Sequence, residues 1–159
     1  MMSGHRARSV WCAYLMLLLL ATARGQEAGL GVFDQVPFAT RSNLKHQLNK
    51  YIEYEREQKY AEVYGLLADS YIDHLNRLGV NNKAAYVRHR RSASVIINFK
   101  PLSISVSDGP AAKTYYIDGM VRSRWGSRIY DERGSLNAYL KNGRWYFSDI
   151  GIEISNEQP

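Results

Sequence analysis

The chain has 159 residues, of which 21 are Lys or Arg and 15 are Asp or Glu, and its one cysteine is Cys12. The sequence after Cys12 therefore excludes disulfides, a thiol nucleophile and a cysteine-ligated metal site. The length fits one domain with a single hydrophobic core.

Residues 1–25 have the pattern of a secretory signal peptide. Basic residues precede an uncharged, mostly apolar run over 10–23, and small residues in Ala-x-Ala spacing end it. The run is shorter than the roughly 20 residues that a membrane-spanning helix needs. We therefore predict cleavage after Ala23 or Gly25 and a secreted or periplasmic protein. An uncleaved segment, which would tether the chain to a membrane, is the alternative.

Charge is distributed unevenly over the rest of the chain. Without the signal peptide, 18 basic and 15 acidic residues remain, and 83–144 holds 12 of the basic and 4 of the acidic ones. This pattern indicates either a solvated sheet face rich in arginine or a positive face for an anionic partner. Nucleic acid is not expected as a partner, because the exported part has a net charge of only +3.

The first half of the exported part is predicted to be helical. Residues 26–41 are weakly patterned, which predicts a linker or N-terminal arm before a domain over 42–159. Ser42 is the predicted N-cap of a helix with one buried face. Its apolar residues are Leu44, Leu48, Tyr51 and Ile52. Glu55 has the same helical spacing, but it belongs to a charged stretch over 53–59 that indicates a solvated face or a bend. A second helical stretch is predicted from about Lys59, and a short segment after it ends at Gly79.

The spacing of apolar residues then changes from helical to strand-like. A third helix is predicted over 83–90, capped by Asn81 or Asn82. Beyond it, alternation predicts that Val95, Ile97 and Phe99 share one face of a strand. Pro101 predicts a bulge or an edge strand, because proline cannot donate a hydrogen bond to a neighbouring strand.

The remaining residues predict an antiparallel meander. Three further strands are predicted, at 114–123, 135–140 and 144–154. Turns are predicted at 108–110 and 131–134, and Asn142–Gly143 is a strong hairpin signal. Helices followed by such strands indicate the α+β class. We expect the N-terminal helices to pack on a strongly curved antiparallel sheet.

Two segments carry a resemblance to a known family. The segment Lys59–Asp69, KYAEVYGLLAD, and the ending Leu140–Ile150, LKNGRWYFSDI, resemble nuclear transport factor 2-like domains, the SnoaL-like group of cystatin-like cones. The resemblance covers about 42–154. It implies a cone with a pocket between helices and sheet, and frequent dimers through the outer face of the sheet. It does not imply one activity, because this fold serves isomerases, dehydratases, cyclases, secretion components and non-catalytic modules.

Candidate pocket residues are Tyr64, Tyr116 and Asp118. Family enzymes of the isomerase or dehydratase type use a carboxylate whose pKa is raised by apolar walls, with a hydroxyl in reach. Asp118 and Tyr116 are two apart on one strand and so share a face. The resemblance assigns no catalytic position, so the catalytic residues stay unknown. A salt bridge from Asp118 to Arg122 or Arg128 is the alternative.

Arg122, Arg124 and Arg128 are candidates for a face that binds an anionic partner or a second copy of the chain. We predict that Asp118, Met120 and Arg122 point outward, with Gly119, Val121 and Ser123 on the opposite face. Trp145 and Phe147 are predicted in the core. The histidines His46, His74 and His89 lack metal-ligand spacing, so no metal and no cofactor are expected.

These observations favour an exported, non-catalytic binding or assembly module. Its expected partners are a second copy through the sheet and a small apolar or anionic ligand. One alternative is a cofactor-free lyase or isomerase that acts on a small apolar ligand in the cone pocket. Another is a membrane-tethered periplasmic subunit of an envelope or secretion complex.

Overall fold

A computed structural model describes residues 31–109 and 113–153. The predicted signal peptide and the first residues of the predicted arm lie outside these ranges. The predicted turn at 108–110 and the predicted strand end at Ile154 also lie partly outside them. The end of the arm packs on the domain, because Val36 is buried and Phe33 contacts the core.

Four helices come first in the chain. They are α1 (Phe38–Arg56), α2 (Tyr60–Tyr64), α3 (Asp69–Arg77) and α4 (Lys83–Arg91). The four apolar residues predicted on one face of α1 are buried, whereas the prediction of a solvated position is wrong for Glu55, which is buried with them. The predicted start at Ser42 is wrong: α1 begins directly after Pro37, which has no N–H and so loses no hydrogen bond at a helix start. No described helix is long and apolar enough to cross a membrane.

The predicted second helix is divided where the chain meets the sheet. After α2 the backbone N–H of Ala68 donates to the carbonyl of Phe147 at 2.8 Å, and that of Phe147 donates to Leu66 at 2.9 Å. These two hydrogen bonds join residues 66–68 to β4 and end the helix. The predicted helix end at Gly79 is confirmed by its φ of 85°. The cap of α4 is Asn82, whose Oδ1 accepts from the N–H of Ala85 at 2.9 Å.

The strands form one antiparallel sheet. They are β1 (Val95–Asp108), β2 (Lys113–Trp125), β3 (Arg128–Lys141), β4 (Arg144–Phe147) and β5 (Gly151–Ile152). Their order is β1-β2-β3-β4, and β5 also pairs with β3. The chain is therefore an α+β protein with helices packed against a five-stranded antiparallel sheet, as predicted at the level of fold class.

Two predicted turns have different outcomes. The hairpin at Asn142–Gly143 is confirmed, with φ of 52° and 75° at its two residues, as a tight turn of this type requires. The predicted turn at 131–134 is wrong, because β3 continues through it and the chain turns instead at Gly126, where φ is 59°. The predicted last strand is interrupted at 148–150 between β4 and β5.

The face of the sheet under the helices, here called the inner face, holds the core. On β2 its buried residues are Tyr115, Ile117, Gly119, Val121 and Ser123. Trp145 and Phe147 are fully buried on the same face, as predicted. In β1 the predicted bulge at Pro101 is confirmed. A second irregularity between Ile96 and Asn98 places Ile96, rather than Ile97, in the core with Phe99.

Candidate functional site

The predicted pocket residues lie on two different sides of the molecule. Tyr116 and Asp118 are exposed on the outer face of β2, and Asp118 accepts a hydrogen bond from Ser103 Oγ at 3.4 Å. Tyr64 is on α2, with its ring 5.4 Å from that of Tyr86. The structure therefore does not bring Tyr64 together with the other two.

The three predicted arginines have different surroundings. Arg122 has an ionic partner, whereas Arg124 and Arg128 lie near the turn between β2 and β3. Arg122 is exposed on the outer face, where it donates from Nε and Nη2 to the two carboxylate oxygens of Asp131, each at 2.8 Å. The bonds to Arg122 lower the pKa of Asp131. The predicted salt bridge between Asp118 and Arg122 is thus replaced by one to Asp131. Arg124 and Arg128 lie beside the turn at Gly126.

A pocket of about 430 Å³ opens on the inner face of the sheet, and none of its described lining residues belongs to a helix. We call it the Trp125 pocket. It is lined by Ser94, Ser123, Trp125, Tyr130, Glu132 and Ile152. Ser123 pairs with Tyr130 across the strands, so both point to the inner face. The side chain of Trp125 is 63% exposed, which is unusual for the largest apolar side chain.

A second cleft, of about 450 Å³, lies beside the first and shares Trp125 with it. We call it the arginine cleft. Its lining residues are Gln58, Arg91, Ser92, Ala93, Val95, Arg124, Trp125 and Gly126. The end of α4 supplies Arg91 and the end of β2 supplies Arg124. These described lining residues include two arginines and no acidic residue.

The charged residues Glu55, Arg90 and Asp149 form a third feature, the buried charge cluster. Glu55 is fully buried and Arg90 is 7% exposed. The Nη2 of Arg90 donates to Oε2 of Glu55 at 2.6 Å, and its Nε lies 3.7 Å from Oδ2 of Asp149. Tyr51 donates its hydroxyl to Oδ1 of Asp149 at 2.9 Å. The cluster thereby joins α1, α4 and the segment between β4 and β5.

Burial dominates the acid–base properties of this cluster. Burial raises the pKa of Glu55 to about 7, although the charge of Arg90 opposes the change. Burial lowers the pKa of Arg90, but the carboxylates of Asp149 and Glu55 outweigh it and hold the guanidinium charged. Oε1 of Glu55 and the hydroxyl of Tyr86 are buried without a hydrogen-bond partner among the described residues. Such groups are the usual partners of buried water.

Because the pKa of Glu55 is raised, we predict that the free energy of unfolding depends on pH. The raised pKa means that the folded protein holds the Glu55 proton more tightly than the unfolded chain does. The resulting stabilisation is complete below about pH 4.5 and is lost as the pH rises through about 7, a change of about 3 kcal/mol. Urea unfolding from about pH 5 to about pH 8 checks this against Glu55→Gln, which should lack the decline. A parallel pH dependence in both proteins would contradict it.

Asp149 also reaches the surface. With Tyr71, Ser135 and Asn137 it lines a notch of about 350 Å³ in the sheet edge between β4 and β5. Its side chain is 15% exposed, whereas those of its partners in the cluster are 9% exposed or less. Asp149 is therefore the member of the cluster that connects it to this notch.

The sequence predicted neither the burial of Glu55 nor its partner, because the charged stretch over 53–59 indicates a solvated face. Glu55 lies on the apolar face of α1, and an acid at such a position indicates a buried partner. Arg90 stands in the run Arg88–Arg91, in which three of four residues are arginine. Nothing in that run distinguishes the buried arginine from the exposed ones. The described residues contain no group of three or more His, Cys, Asp or Glu placed to hold a metal ion.

A scan against protein-family models finds no family that matches the chain, and a search of curated proteins finds no similar sequence.

Proposed function

We propose that this chain is an exported, non-catalytic binding module that holds a small, mostly apolar molecule in the Trp125 pocket. The observation that carries the proposal is the exposed indole of Trp125 in the wall of a 430 Å³ pocket. Ligand pockets of proteins have about this volume and are lined by aromatic and apolar groups with a few polar ones. Tyr130 and Ile152 supply apolar surface, and Ser94, Ser123 and Glu132 supply the polar groups.

The placement of ionisable groups supports binding over catalysis. The buried charge cluster holds one guanidinium between two carboxylates, and Asp149 at its rim is the most exposed of the three members. Among the described residues that line the Trp125 pocket, Glu132 is the one carboxylate. A cofactor-free lyase or isomerase, the alternative, needs a base and a proton donor placed on one substrate. Among the described residues that line this pocket, Glu132 would have to act as the base, with Tyr130, Ser94 or Ser123 as the proton donor.

We also propose a nuclear transport factor 2-like cone as the fold. Helices on one face of an antiparallel sheet and a final hairpin that buries Trp145 support it. A pocket at the open end of the inner face is where such a cone would hold a ligand. Strong curvature of the sheet is part of this proposal.

We also propose that the protein is exported and that it forms dimers through the outer face of the sheet. The signal-peptide pattern of residues 1–25 supports a secreted or periplasmic protein over a membrane-tethered subunit. N-terminal sequencing of the exported protein distinguishes the two. The outer face offers a surface for a second copy, because it presents both members of the Arg122–Asp131 pair and the exposed ring of Tyr116. A face with both charges can complement itself about a two-fold axis.

Binding of N-phenyl-1-naphthylamine, an uncharged apolar dye that fluoresces when it leaves water, tests the proposed pocket. We expect Trp125→Ala to weaken its binding at least about tenfold, because the substitution removes the largest apolar wall. The matched control is Tyr116→Ala, which removes an exposed aromatic ring from the outer face and should leave binding unchanged. Equal affinities of the two variants would contradict the proposed site.

A further inference from the structure

We infer that the ligand is an amphiphilic anion, whose apolar body lies in the Trp125 pocket and whose acidic group binds Arg91 and Arg124 in the arginine cleft. This inference rests on the proposed function and adds the chemical class of the ligand. The acidic group is a carboxylate, a sulfate or a phosphate, since all three accept paired hydrogen bonds from guanidinium groups.

Trp125 lies where the Trp125 pocket and the arginine cleft adjoin, because it is a lining residue of both spaces. With volumes of about 430 and 450 Å³, each space accommodates one part of a single small molecule. A ligand in contact with both parts of this surface needs an apolar part and an anionic part.

The charged residues of the arginine cleft favour an anionic ligand. Arg91 and Arg124 are exposed, and neither has an ion-pair partner within the described ranges. Arg90 and Arg122, one and two residues away from them, are each paired with a carboxylate. Gln58 adds an amide donor to the cleft. Two arginines and no acidic residue among the described lining residues favour an anion and disfavour a cation.

Apolar residues lie beside the two arginines of the cleft and favour an anion that carries an apolar body. An exposed ion pair is worth little in water, because solvent competes for both groups and salt screens them. Trp125 and Val95 line the same cleft as the arginines. A bound apolar body would cover this wall and exclude water from one side of the anion. The site therefore favours an anion that carries an apolar body over a free inorganic anion.

Two dyes with the same ring system test the inference. 8-Anilinonaphthalene-1-sulfonate carries a sulfonate, and N-phenyl-1-naphthylamine is the same molecule without it. We expect the double variant Arg91→Gln/Arg124→Gln to weaken binding of the sulfonate about tenfold and to leave the uncharged dye unaffected. Inorganic phosphate at the same concentration should not displace the sulfonate.

The matched control is Arg77→Gln/Arg133→Gln, which removes the same charge from two exposed arginines outside the cleft. Circular dichroism melting confirms that both double variants fold. Equal affinity of the two double variants for the sulfonate would overturn the inference and leave the Trp125 pocket intact. Binding of the uncharged dye that does not depend on Trp125 would instead overturn the proposed function. Sedimentation with phosphatidylglycerol vesicles that requires Arg91 and Arg124 would place the anion on a lipid surface and overturn its assignment to a dissolved molecule.

Discussion

Replacing Arg90 by methionine is expected to lower the free energy of unfolding by about 3–5 kcal/mol at about pH 8. The substitution leaves the buried carboxylate of Glu55 without its 2.6 Å hydrogen bond and removes the nearest positive charge from Asp149. It also removes the guanidinium that stacks 5.4 Å from the ring centre of Tyr60. Most of the loss is the cost of burying Glu55 without Arg90, as an unpaired carboxylate or as a carboxyl group that must take up a proton at about pH 8, and not the value of the ion pair.

Urea denaturation measures this effect, and two further variants identify its cause. Arg91→Met changes the neighbouring exposed arginine in the same way and should cost less than about 0.5 kcal/mol. Adding Glu55→Gln to Arg90→Met should recover part of the loss, because it removes the unpaired charge. An Arg90→Met protein as stable as Arg91→Met would show that Arg90 is solvated and that the buried charge cluster does not form.

Trp145→Ala is expected to cost about 3–5 kcal/mol in the free energy of unfolding. The ring of Trp145 is fully buried, and its centre lies 5.0 Å from that of Tyr115 in an edge-to-face contact. Its Nε1–H donates to the carbonyl of Thr40 at 3.3 Å, which connects the last hairpin to α1. Removal of the side chain opens a cavity and leaves that carbonyl without its partner.

The chain contains its own control for this substitution. Trp125→Ala removes an identical side chain that is 63% exposed, so it should cost less than about 1 kcal/mol. Thermal or urea unfolding followed by circular dichroism compares the two variants without relying on tryptophan emission. A loss below about 1 kcal/mol for Trp145→Ala would mean that this ring faces solvent or a partner.

Features fixed by short-range chemistry could be predicted from the sequence. The buried face of α1, the Asn142–Gly143 hairpin and the bulge at Pro101 each follow from spacing or from one residue's backbone preference. The turn at Gly126 was missed, because Asp131 and Gly134 provide an equally good local turn signal. Pairing between β2 and β3 continues through those residues and outweighs their local preference.

The candidate site was harder to predict, because it depends on where the helices end above the sheet. Alternation correctly assigned Asp118 and Arg122 to the outer face and Val121 and Ser123 to the inner face. The same alternation continues to Trp125, but no local pattern shows that the helices leave this residue uncovered. The separation of the buried Arg90 from the exposed Arg91 likewise depends on tertiary packing.

The central claim is that a ligand occupies the Trp125 pocket, and a titration followed by nuclear magnetic resonance tests it most directly. If the signal peptide is removed, the protein has two tryptophans, Trp125 and Trp145, and hence two indole N–H signals. The signal that disappears in the variant Trp125→Phe is assigned to Trp125, and the other is assigned to Trp145. On addition of 8-anilinonaphthalene-1-sulfonate, the account predicts a large, saturable shift of the Trp125 signal and little change at the buried Trp145. Saturable binding that shifts Trp145 and leaves Trp125 unchanged would place the ligand inside the core and contradict the account.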